Sequence, residues 1–72
     1  MDYIDRMIAT REDSDETQRQ LAERIRYRQP QIARYETRIN EPPIRYLIDF
    51  CNHYKISADY ILGLPSNYRK PR

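Results

Sequence analysis

A chain of 72 residues with one glycine, one cysteine and a formal net charge of +2 has room for one domain, with a core near the lower limit of independent stability. The lone cysteine excludes an internal disulfide and fits a reducing compartment, and no apolar run approaches the roughly 20 residues that cross a bilayer. No charged, apolar and small-residue succession opens the chain, so a cytoplasmic domain without a signal peptide is expected.

The charge is unevenly spread. Residues 1–16 hold six acids and two bases, residues 18–45 hold seven arginines against three glutamates, and residues 46–72 carry +2. An arginine-rich centre suggests one basic face, although a solvated mixed-charge surface has the same composition. Tyr3, Ile4, Met7 and Ile8 fall at helical spacing and predict a first helix over about 2–12. Asp13, Ser14, Asp15 and Glu16 end it, because short polar side chains compete for the backbone. Thr17 with Gln20 makes a capping-box pattern, and Leu21, Ala22 and Ile25 then line one face of a second helix. Arg26, Tyr27 and Arg28 form the turn. Pro30 suits the first turn of a third helix, where its missing N–H costs nothing. Ile32 and Tyr35 mark the buried side of that helix, which ends near Glu36.

Thr37 to Pro43 is a connector, since two prolines stop it from being helical. Ile44, Leu47, Ile48, Cys51 and Tyr54 then follow a three-four rhythm. Ser57 caps a last helix from Ala58 to Leu62, and Gly63 closes it with a residue free to take positive φ. The expected fold is all-α, a compact five-helix bundle over residues 1–64 followed by a frayed basic tail over 65–72.

Arg11, Thr17-Gln18, Leu21-Ala22, Ile25, Ile32, Tyr35-Glu36, Leu47 and the closing ISADYILGLP of residues 56–65 together resemble the Cro/phage-repressor-like (Xre) helix-turn-helix family. The match runs without a gap from about Arg11 to Gly63. It implies a bacterial or phage-encoded transcription regulator, with a repressor as the expectation. Such a domain binds double-stranded operator DNA as a homodimer and lays the helix of about 29–36 in the major groove. The physical reason stands beside the resemblance: the major groove admits a helix, glutamine can pair with adenine and arginine with guanine.

By that resemblance Gln29, Gln31 and Arg34 are the candidates for base contact. Gln18, Arg28 and Arg38 are the candidates for phosphate contact, Gln18 because it opens a helix whose N–H groups favour an anion. Arg11 and Glu36 are expected to form a structural ion pair that ties the first helix to the reading helix. Three departures stand out: Arg26 where the family usually has glycine, Glu16 where it has an apolar residue, and Pro30 where a polar side chain is common. Dimer contacts are expected from Tyr60, Ile61, Leu64 and the tail, because the last helix lies far from the reading helix.

Other classes find less support. Cys51 and His53 lie two apart and cannot share a helix face, which argues against nucleophilic catalysis. Together they are too few ligands for zinc, and no glycine-rich phosphate loop exists. The chain therefore reads as a non-enzyme without cofactor, metal, membrane partner or evident small-molecule ligand. Seven tyrosines invite base stacking on single strands, but Tyr35, Tyr46, Tyr54 and Tyr60 sit where packing or an interface would use them. Tyr68, beside Arg69 and Lys70, is a candidate for backbone contact. The alternative function is a protein-interaction module of the same fold, an antitoxin or anti-repressor partner. Such a module would more often carry an apolar patch on its third helix.

Overall fold

The computed structural model describes residues 1–65, so the basic tail, with Tyr68, Arg69 and Lys70, lies outside the described residues apart from Pro65. Five helices follow in order: α1 (Tyr3–Asp13), α2 (Gln18–Ile25), α3 (Gln29–Glu36), α4 (Ile44–Tyr54) and α5 (Ala58–Leu62). No strand occurs among the described residues. The local causes are readable at each end. Asp2 opens α1 and Thr17 opens α2 with reciprocal capping boxes, closed by Asp5 and Gln20. Ser57 accepts from the Asp59 N–H to open α5. Gly63 closes α5 at φ 72°, a left-handed conformation that glycine adopts without a Cβ clash.

α1 packs on α3 and α5, α2 on α3 and α4, and α4 on α5. The core between them comprises Ile4 and Met7, Leu21 and Ala22, Ile32 and Tyr35, Tyr46, Phe50 and Cys51, and Ile61. A run of rings passes through it. Tyr46 meets Tyr35 at 4.7 Å and Phe50 at 5.9 Å between centroids, and Phe50 meets Tyr54 at 4.7 Å, the tilted geometry that ring quadrupoles favour. Burial pushes the Cys51 thiol up, which makes it a small core hydrophobe with little thiolate.

The buried face of α4 is rotated from the one that the isoleucines suggest. Ile44 is 72% and Ile48 42% exposed, while Tyr46 and Phe50 are fully enclosed. Leu47, Cys51 and Tyr54 of the expected rhythm do pack on the core, and the face turns only far enough to bring in Tyr46 and Phe50, which remove more apolar area from water than the two isoleucines.

Arg26 ends α2 in the left-handed conformation, at φ 65° and ψ 42°. Its N–H and that of Tyr27 both reach the Ala22 carbonyl, so the tight turn is kept without glycine. A left-handed L-residue costs about 1–2 kcal/mol. Arg26→Gly is therefore expected to raise the unfolding free energy by about 1 kcal/mol, net of the extra freedom glycine has when unfolded. Urea unfolding measures it; a lower midpoint would mean that the arginine side chain stabilises more than its backbone strains.

Candidate nucleic-acid interface

α2 and α3 meet at a corner whose N-terminal ends both face one shallow, open hollow. The hollow, about 470 Å³, is lined by Arg11, Thr17, Gln18, Arg19 and Gln29. The capping box on Thr17 makes Gln18 the first residue of α2, and the turn through Arg26 brings Gln29 to the first position of α3. Ile32 and Tyr35 pin the opposite side of α3 into the core. That leaves Arg28, Pro30, Gln31 and Arg34 exposed.

Beneath the hollow runs a chain of polar contacts. Arg11 grips Glu36 in a fork, Nε to Oε2 at 2.8 Å and Nη2 to Oε1 at 3.0 Å. Their side chains are only 11% and 9% exposed. Arg11 also donates through Nη1 to the Glu16 carbonyl at 2.7 Å. The hydrogen bond with Glu36 outweighs burial and raises the Arg11 pKa further, so the guanidinium is permanently charged. Glu36 Oε1 accepts a second bond, from Gln18 Nε2 at 2.8 Å, and Gln18 Oε1 accepts from Gln29 Nε2 at 2.9 Å.

This chain sets the orientation of both amides. A carboxylate can only accept, so Gln18 must turn its NH₂ to Glu36 and its carbonyl to Gln29. Gln29 must then use one N–H inward. Its carbonyl and second N–H remain, an acceptor and a donor side by side, the pair that matches adenine N6 and N7.

The remaining candidates are placed differently. Gln31 donates to the Tyr35 hydroxyl at 3.0 Å. Arg28 is the N-cap of α3 and makes no side-chain cap bond. Arg34 makes no ion pair among the described residues and projects from the last turn of α3. Arg38 is engaged within the chain: one Nη lies 2.9 Å from both Asp2 Oδ1 and Asp5 Oδ1. It also sits in the left-handed region at φ 65°. Any phosphate contact by Arg38 competes with those two carboxylates.

Two features had no motif to announce them. Arg19 lines the hollow beside Gln18 and adds an exposed cation at the start of α2; its place in the first turn after Thr17 was the available signal. Glu16 is the second. Tyr54 donates to its Oε1 at 2.7 Å, His53 Nε2 lies 2.9 Å from the same oxygen, and Arg24 Nε lies 2.9 Å from Oε2. His53 is thus half-buried. Burial pushes the Glu16 carboxyl up, but the bonds from His53 and Tyr54 and the charges of His53 and Arg24 outweigh it and hold it below the usual range. Tyr27 instead bonds Asp49 at 2.7 Å, and burial and that carboxylate push its phenol up to about 12.

A capped helix, a tight turn and a second helix anchored on one side define a helix-turn-helix unit. A family model described as helix-turn-helix matches residues 9–61. The chain belongs to the Cro/phage-repressor-like (Xre) helix-turn-helix family, whose domains are those of DNA-binding transcription regulators. It is 36% identical over 62 residues to YobD of Bacillus subtilis (strain 168), described as an uncharacterized HTH-type transcriptional regulator. That alignment covers 86% of this chain and 55% of the relative, so the chain spans little more than half of the relative's length. No solved structure gives a significant match. No helix among the described residues is long and apolar enough to cross a membrane.

Proposed function

We propose that this chain is a sequence-specific, duplex-DNA-binding transcription regulator, a repressor that acts by occupying its operator and works without catalysis in the cytoplasm. The observation that carries the reading is the bracing of Gln29. Its inward N–H is tied through Gln18 to the Arg11–Glu36 pair, while Gln31 and Arg34 stand exposed on the same helix. A polar edge held this rigidly loses little side-chain entropy on entering a groove.

Selection of bound sites from random duplexes tests the proposal, because it reports sequence, symmetry and spacing together. On the selected site, Gln29→Ala or Arg34→Ala should each cost about 1–3 kcal/mol and relax preference at one base pair. Arg28→Ala should weaken binding to every sequence and flatten the salt slope by about one unit. Equal losses on all sequences for all three variants would overturn direct readout.

The same proposal includes a homodimer on DNA. Tyr60, Leu62 and Leu64 are exposed around α5, whereas Ile61, expected as a contact, is fully buried in the core and supports that surface from behind. A dimer would span half-sites about 34 Å apart and gain affinity from joint engagement. Sedimentation with and without the selected duplex checks this: two chains per duplex are expected, and a persistent single chain would refute it.

A further inference from the structure

We propose that His53 and Tyr54 are positioning residues for DNA reading, acting on Gln29 through Glu16. The inference rests on the reading of Gln29 as a base-contacting residue. The Glu16 side chain is 13% exposed and is clamped by three groups, Tyr54 and His53 from α4 and Arg24 from α2. Its own backbone carbonyl receives Arg11 Nη1 from α1. The side-chain clamp therefore fixes the position of the carbonyl that completes the seat of Arg11. Arg11 fixes Glu36, Glu36 fixes Gln18, and Gln18 fixes Gln29. A continuous set of short polar contacts thus joins the C-terminal turn of α4 to the reading edge of α3.

The clamp is built from donors on two helices. His53 faces the Glu16 carboxylate and packs edge-on against the Tyr54 ring at 4.5 Å. The other charged groups around Glu16 are Arg24 at its second carboxylate oxygen and Arg11 at its backbone carbonyl. Loss of the His53 or Tyr54 contact releases the carboxylate, and the seat of Arg11 loosens with it.

Two measurements test this. The first compares the side-chain amide resonances of Gln18 and Gln29 in the full native chain with those in His53→Ala and His53→Gln. Both should shift in His53→Ala and return toward their native positions in His53→Gln, which keeps an N–H donor. Amide resonances unchanged in a folded His53→Ala chain would overturn the proposal.

The second measurement compares binding of the duplex selected by the native chain with binding of the same duplex changed at the base pair that Gln29→Ala relaxes. His53→Ala and Tyr54→Phe, at a temperature where circular dichroism shows them folded, should reduce that discrimination by about threefold or more, the scale of coupling through side-chain networks. His53→Gln, which keeps an N–H donor, should restore most of it. Discrimination unchanged in folded variants would overturn the proposal while leaving the Gln29 reading intact. If Gln29→Ala itself relaxes no base pair, the base-reading premise fails instead, and the resonance comparison still reports whether the linkage exists.

Discussion

Glu36→Ala is expected to lower the unfolding free energy by about 3–5 kcal/mol, because it leaves the Arg11 guanidinium buried without its partner. Arg11 cannot escape the penalty by losing its proton, since its charge persists well above any working pH. In a domain this small, that loss consumes most of the stability normally available. Urea unfolding at neutral pH checks the figure; a loss below about 1 kcal/mol would show that water reaches Arg11 and replaces the carboxylate.

The double variant Arg11→Met with Glu36→Leu separates stability from reading. Removing both charges removes the desolvation cost along with the attraction, so stability should return to near the native value. Gln18 nevertheless loses the acceptor that turns its NH₂ away from Gln29. Both amides are then free to flip, and the double variant should bind DNA with reduced preference among sequences. A double variant that is stable and fully discriminating would mean that Gln29 needs no brace.

Much of this arrangement was open to reading before any coordinates. The helix starts follow from local chemistry, Thr17 with Gln20 and Ser57 ahead of α5, and the ends from Arg26 and Gly63. Such signals span a few residues and survive folding. The phase of α4 followed only in part: Leu47, Cys51 and Tyr54 pack on the core as their rhythm implies, but Ile44 and Ile48 yield the inward face to Tyr46 and Phe50, and side-chain volume in a shared core decides between them. Nor did the role of Glu16, whose partners lie 37 and 38 residues away. The family resemblance marks it only as a charge at an apolar position; the packing of α4 brings His53 and Tyr54 to it, and Arg24 of α2 completes the set. Arg38 is similar, since Asp2 and Asp5 precede it by 36 and 33 residues. The residue types of the proposed reading edge stand in the sequence, while the hydrogen bonds that orient Gln29 are made between helices.

Phe50→Ala is expected to cost about 3–5 kcal/mol, the range for truncating a buried aromatic ring, and to abolish binding to all duplexes alike. Phe50 is fully enclosed and stands between two rings with separate duties. On one side Tyr46 packs against Tyr35, the residue that anchors α3. On the other, Tyr54 holds Glu16. Removing the ring loosens both supports of the reading edge at once, so the surrounding side chains cannot close the cavity without moving one of them. Phe50→Leu, which keeps most of the volume, should cost under about 1.5 kcal/mol if the core repacks and should keep the native sequence preference. Thermal unfolding with the binding assay in parallel distinguishes this from the loss of a base contact. Phe50→Ala should bind again, with native preference, on cooling toward its stability maximum, whereas Gln29→Ala should stay indiscriminate at every temperature. A Phe50→Ala chain that stays folded near the native melting point would mean that the core collapses into the space and that Tyr46 and Tyr54 do not depend on each other.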